Sequence, residues 1–187
     1  MKNVILCLIG AAVVAYCDQT VWSYDLTQLP DGWSYTGGWQ FDSTGAHVYI
    51  QIWSDITGTN SIYTETLLIP EGTDSLTLFI PQFVSGGCND GFAIARVKVT
   101  LNGGASQTVW EEVWYDSFGE NSDPITVGLD VSPGDSLSFY FGCDVCVVGS
   151  YGAGNIFWNL WDLELVLHGD IQPLRAVTWG EIKSCFQ

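Results

Sequence analysis

Apolar and polar residues alternate with a period of two along most of the chain between Val21 and His168, and no apolar stripe of useful length recurs at helical spacing. Val48, Ile50 and Ile52 alternate with His47, Tyr49 and Gln51. Leu137, Phe139 and Phe141 alternate with Ser138 and Tyr140. Ala93, Ala95, Val97, Val99 and Leu101 alternate with Phe92, Ile94, Arg96, Lys98 and Thr100, which places both basic residues on one solvent-facing side. Reversals are marked by Pro70-Glu71-Gly72, Asn102-Gly103-Gly104 and Pro133-Gly134-Asp135, residues suited to tight turns. About ten strands at this spacing predict an all-β fold, an antiparallel β-sandwich of jelly-roll type.

Antiparallel strands reverse at each connection, so successive loops fall at alternating ends of a sandwich. With the strand from Leu76 to Phe83 running upward, the segments 54–60, 85–90, 116–123 and 142–155 gather at the top. The short turns at 102–104 and 132–135 lie at the bottom. The top loops then collect Asp55, Asn60, Asn89, Asp90, Asp116, Glu120, Asp123 and Asp144. Carboxylate and amide oxygens of this kind suit a hard cation such as Ca2+, which takes six to eight oxygen ligands, although no EF-hand loop or nonapeptide repeat is present. Solvated loop acids are the plainer account of the same residues.

The two ends of the chain read differently. Met1, Lys2 and Asn3 give a short positive start, Val4 to Val14 an apolar run, and Ala15, Tyr16 and Cys17 a cleavage region, so residues 1–17 have the form of a secretory signal peptide. That apolar run is shorter than the ~20 residues a membrane-spanning helix needs, so no transmembrane segment is expected in the mature chain. The sandwich is assigned to residues 18–170 and a tail to 171–187. In the tail, Thr178-Trp179-Gly180-Glu181 fits a capping box, with Trp179, Ile182 and Phe186 on one face of a short C-terminal helix that either caps the fold or acts as a sorting or anchoring signal.

Composition narrows the function classes. Five Lys and Arg oppose 21 Asp and Glu in 187 residues, a formal charge of -16. Removing residues 1–17 takes one Lys and no acid, so the mature charge is 4 − 21 = -17. Such a charge repels phosphate backbones and argues against a nucleic-acid partner. Export to the cell surface or medium places Cys88, Cys143, Cys146 and Cys185 where thiols oxidise, and a shared end of the sandwich predicts a disulfide from Cys88 to Cys143 or Cys146.

Within Thr108 to Tyr115, one face carries Trp110, Glu112 and Trp114 and the other Val109, Glu111, Val113 and Tyr115. Each set contains a glutamate, so alternation leaves both orientations open. Facing outward, Trp110 and Trp114 with Glu112 between them would form a stacking platform for sugar rings; facing inward, they pack the core. Asp162 and Glu164 also share a face and are the best-spaced carboxylate pair for glycoside hydrolysis, but Leu163, Leu165 and Leu167 claim the opposite, inward face. Neither histidine accompanies a nucleophile motif. No catalytic residue is therefore assigned.

The run Glu65-Thr66-Leu67-Leu68-Ile69-Pro70-Glu71-Gly72-Thr73-Asp74-Ser75-Leu76-Thr77-Leu78, then Pro133-Gly134-Asp135-Ser136-Leu137-Ser138-Phe139, then the strand Trp158 to Leu167 resembles MAM-like jelly rolls of secreted bacterial proteins, including cleaved-adhesin and choice-of-anchor modules. The ending Trp-Gly-x-Ile-Lys-x-x-Phe is similar to C-terminal endings of many secreted proteins of Gram-negative bacteria. The resemblance implies adhesion, with a glycan or a surface protein as partner, and carries over no catalytic residue. The expectation is a secreted or cell-surface, non-catalytic binding module, with a self-associating envelope or filament subunit as the alternative.

Overall fold

The computed structural model describes residues 19–53 and 56–169. The expected signal peptide, the C-terminal helix and Asp55 lie outside the described residues. Fifteen strands follow in order: β1 (Gln19–Asp25), β2 (Ser34–Thr36), β3 (Gln40–Asp42), β4 (Gly45–Trp53), β5 (Thr57–Tyr63), β6 (Leu67–Leu68), β7 (Thr73–Ile80), β8 (Gln82–Asn89), β9 (Gly91–Leu101), β10 (Gln107–Tyr115), β11 (Phe118–Asn121), β12 (Ile125–Asp130), β13 (Ser136–Val147), β14 (Ala153–Leu160) and β15 (Asp162–Gly169). Every pairing is antiparallel. The count exceeds ten because long strands are interrupted and short edge strands are added.

One layer is the sheet β10-β9-β13-β5-β2, with β6 also on β13. The opposing layer consists of two sheets, β1-β15-β7-β12 and β11-β8-β14-β4-β3. Two strands pass from one of these sheets into the other: β7 continues into β8 across Pro81, and β14 into β15 across Trp161. Proline has no N–H to give a ladder, so the sheet breaks there. The Trp161 amide donates to the Pro81 carbonyl at 3.2 Å and ties the two breaks together.

The inward residues are those the alternation selects. Leu137, Phe139, Phe141 and Val145 of β13 and Ala95, Val97 and Val99 of β9 are buried, as are Val48, Ile50 and Ile52 of β4, Ile156 and Trp158 of β14, and Leu163, Leu165 and Leu167 of β15. Trp158 is fully buried between Trp39 and Trp110, with ring centroids 5.9 and 5.7 Å away, and its indole N–H donates to Gln82 Oε1 at 3.1 Å. The partner is what lets an indole N–H sit in a dry core.

The three turns occur where Pro and Gly mark them. Gly72, Gly103 and Gly134 have φ of 83°, 64° and 82°. At the bottom two of them are clasped: Asn102 Nδ2 donates to Asp135 Oδ1 at 2.7 Å, and the Ser132 amide donates to Asp135 Oδ2 at 2.8 Å. These bonds hold the Asp135 carboxyl below the usual carboxylate range.

The top is tighter than expected. Strand β8 runs to Asn89 and β9 starts at Gly91, so Asp90 alone makes the turn, at a φ of 61°. Likewise β13 extends to Val147, leaving only 148–152 before β14. Glycine-rich stretches that read as loops are strands whose glycines make room for rings. A Cβ at Gly86 would lie 2.7 Å from the Trp114 ring. One at Gly87 would collide with Phe118, and one at Gly142 with Tyr140.

Candidate functional site

The proposed calcium donors do not converge. Asn89, Asp90 and Asp116 do share the top, where Asp116 Oδ1 accepts from the Gly91 amide at 3.0 Å and Asn89 Oδ1 from the Ala153 amide at 2.6 Å. Asn60 is buried in mid-strand, its Oδ1 accepting from the Gly38 amide at 2.8 Å. Asp144 lies on β13, paired with Arg96. Asp123 sits away from the top, beside Asn121 and Gln82 near the layer break. Glu120 faces Ser85 across β11 and β8. Strand continuation through the presumed loops disperses this set, and among the described residues no three His, Cys, Asp or Glu side chains form a metal-holding group.

The cysteine expectation is corrected in the same way. Cys88 and Cys146 share the top, and the Cys88 thiol contacts the Cys146 carbonyl at 3.4 Å. All three described cysteines are nevertheless thiols. Alternation sets Cys146 apart from Cys88 and Cys143, which both face the core. Cys143 points into the core, whereas Cys146 lies on the outward side of β13, its Sγ 3.6 Å from Thr57 Oγ1. Burial pushes the Cys143 thiol up to about 12, so it stays protonated and unreactive.

Native iodoacetamide treatment should therefore modify half-exposed Cys146 and spare Cys88 and Cys143 until denaturant is added; peptide mapping checks this. A raised thiol pKa contributes stability that is complete below about pH 9 and lost as pH rises toward 12. Cys143→Ala should flatten that alkaline decline, read by urea melts between pH 8 and 10.

The outward-tryptophan reading is corrected as well. On β10, Trp114 is buried under Gly86 and Trp110 stacks on Trp158 at an interplanar angle of 23°. Glu112 accepts from Asn121 Nδ2 at 2.8 Å. Two indoles bury more apolar area than Val109 and Val113, so they take the inward side and their glutamate goes with them.

Exposed rings lie elsewhere. The outer face of β11-β8-β14-β4-β3 presents Tyr49 and Trp53 of β4 and Phe118 of β11, exposed by 57%, 61% and 65%. Phe157 pairs with Tyr49 in register and lies 6.2 Å from Phe83 and 6.5 Å from His47. Gln51 and Asn155 face one another in the next row, and Phe118 covers Gly87 beside them. Aromatic planes thus flank a patch of amides.

At the lower end of this face, Asn159 pairs with His47 across the ladder. Asn159 Oδ1 and His47 Nδ1 are both buried without a hydrogen-bond partner; the nearest acid to the imidazole, Asp42, is 3.9 Å away. Asn159 is only 8% exposed, and an orphaned carbonyl at such a depth is costly unless a hydroxyl reaches it. Sequence reasoning placed His47, Tyr49 and Gln51 on one strand face but did not extend the parity to Trp53, nor could it bring Phe118 and Phe157 alongside.

Asp162 and Glu164 lie on the outward side of β15, opposite buried Leu163 and Leu165. His168 Nε2 is 3.0 Å from Thr77 Oγ1.

No protein-family model matches the chain, and no curated protein matches it. Solved structures of similar shape include the K1 cleaved adhesin domain of Lys-gingipain from Porphyromonas gingivalis W83, with 14% identity over 81% of this chain and 99% of that one and a TM-score of 0.40. A family 29 carbohydrate-binding module matches at 18% identity over 79% and 91%, with a TM-score of 0.38. The N-terminal cellulose-binding domain of beta-1,4-glucanase C from Cellulomonas fimi matches at 11% over 83% and 97%, with a TM-score of 0.31. The chain is similar to these in outline, and at such scores the likeness by itself assigns no ligand.

Proposed function

We propose that the protein is an exported, non-catalytic module that binds neutral glycans on the outer face of β11-β8-β14-β4-β3. The observation that carries this reading is the row of exposed rings Tyr49, Trp53 and Phe118 around the amides Gln51 and Asn155. Sugar rings present apolar C–H faces and a rim of hydroxyls. Aromatic side chains take the first and amides the second. Neither Arg96 nor Lys98 lies on this face, and Glu120 adds a negative charge on its edge strand β11, so uncharged polysaccharides should bind better than sulfated ones.

Tyr49→Ala and Trp53→Ala should each weaken binding to a neutral polysaccharide by about 1 kcal/mol, roughly fivefold, while leaving the thermal midpoint nearly unchanged. Affinity electrophoresis against a panel of neutral polysaccharides, with melts of each variant, measures both. Unchanged affinities would remove the site from this face. If neither the native protein nor any variant binds glycan but light scattering shows concentration-dependent association that Trp53→Ala abolishes, the face is a contact between copies and the envelope-subunit reading takes its place.

A further inference from the structure

The opposite layer has an outer face of different chemistry. Only two Lys or Arg residues occur among the described residues, Arg96 and Lys98, and alternation puts both on the outward side of β9. Arg96 already has carboxylate partners. Its guanidinium forms a short ion pair with Asp144 on β13 and lies 4.0 Å from Glu111 on β10. Carboxylates from both neighbouring strands, Glu111 directly opposite and Asp144 on the diagonal, leave it no positive charge to spare.

Lys98 differs. No carboxylate lies within ion-pair distance of it among the described residues, and its ammonium sits 5.3 Å from the centroid of the Tyr140 ring. Its row reads Thr108, Lys98, Tyr140, Tyr63, Ser34 across five strands.

The rings in that row are held in place. Tyr140 lies over Gly142, where any side chain would collide with its hydroxyl, and that hydroxyl is 3.1 Å from Ser61 Oγ. Burial pushes the Tyr140 hydroxyl above its ordinary range, so it stays neutral beside the lysine. Tyr63 meets Tyr140 nearly edge-on, 5.2 Å between centroids at 64°, and is 43% exposed. The result is a floor, a wall and an uncompensated ammonium.

We propose that this corner is a second ligand site, for a carboxylate-bearing sugar of the uronic acid class. The sugar ring packs on the exposed face of Tyr63, and its carboxylate takes the Lys98 ammonium, which has no protein carboxylate to satisfy it. A ring and a carboxylate in one compact unit fit the Tyr–Tyr–Lys arrangement better than an acidic peptide, whose flexible side chain leaves the Tyr63 wall unused. Screening confines charge interactions to about 8 Å at physiological salt. The overall charge of -16 therefore does not exclude a short acidic ligand here, although it disfavours long sulfated chains. The site is independent of the neutral-glycan face, since it lies on the other layer.

The test is isothermal titration of the full chain with trigalacturonate and with neutral galactotriose at 0.15 M salt. Trigalacturonate should bind the native protein at this corner, Lys98→Gln should lose at least tenfold in affinity and Lys98→Arg should retain most of it, the scale expected for one charge-assisted contact. Tyr63→Ala should also weaken trigalacturonate binding, and it decides the matter if Lys98→Gln fails to fold. Trp53→Ala on the opposite face should leave it unchanged. The proposal is overturned by absence of trigalacturonate binding, by equal affinity in Lys98→Gln, by loss of binding in Trp53→Ala, or by a glutamate-rich peptide binding as tightly.

Discussion

Trp114→Ala should destabilise the fold by about 3–5 kcal/mol, the cost of deleting a buried aromatic and leaving a cavity. Trp114 is 5% exposed and packs on Gly86, while its indole N–H edge lies near Gly119, so no side chain stands ready to fill the space. Deletion of the ring would also uncover the backbone of β8 and β11 at the edge of the layer. A urea denaturation curve gives the loss directly. A glycan platform at this position would instead leave stability intact and lower affinity, so the same variant separates the two accounts of β10.

Arg96→Met should remove about 1.5–3 kcal/mol, the value of a hydrogen bond to a charged group in a largely enclosed setting. The side chains of Arg96 and Asp144 are 21% and 18% exposed, too enclosed for water to replace the lost partner fully. Removing the arginine strands Asp144 between β9 and β5, with no other cation in reach. The double variant R96M/D144N removes both charges and should recover part of the loss, which a double-variant cycle by chemical denaturation would show. A change below about 0.5 kcal/mol in Arg96→Met would mean that the pair behaves as an exposed one.

Strand alternation was legible because one face of each strand is buried, and burial enforces parity. Val48, Ile50 and Ile52, or Leu163, Leu165 and Leu167, announce their side without any knowledge of the partner. β10 did not, because both of its faces are apolar with one glutamate each. Its orientation depends on Trp158 and Gly86, which belong to other strands. Loop lengths were misjudged for a related reason. Gly86, Gly87 and Gly142 look like loop residues in the sequence, yet each sits beneath a ring supplied from elsewhere or from two residues away. The same long-range packing hid the exposed ring cluster. Tyr49 and Trp53 share a strand, but Phe157 and Phe118 join them only through ladders that no local pattern encodes. For the calcium donors, end assignment was right for Asn89, Asp90 and Asp116, and failed for Asn60, Asp123 and Asp144 because the strands continue past the expected loop boundaries.

The pairing of β1 with β15 has a kinetic consequence. Gln19 lies opposite His168, so the first and last described strands complete one sheet together. This contact spans nearly the whole described chain, and closing so long a loop is slow because its entropy is lost before the pairing rewards it. During synthesis β1 emerges before β15 and waits without its ladder partner until β15 is made. Refolding should therefore end in the docking of β1, and amides of β1 should be the last on this sheet to gain protection from hydrogen exchange.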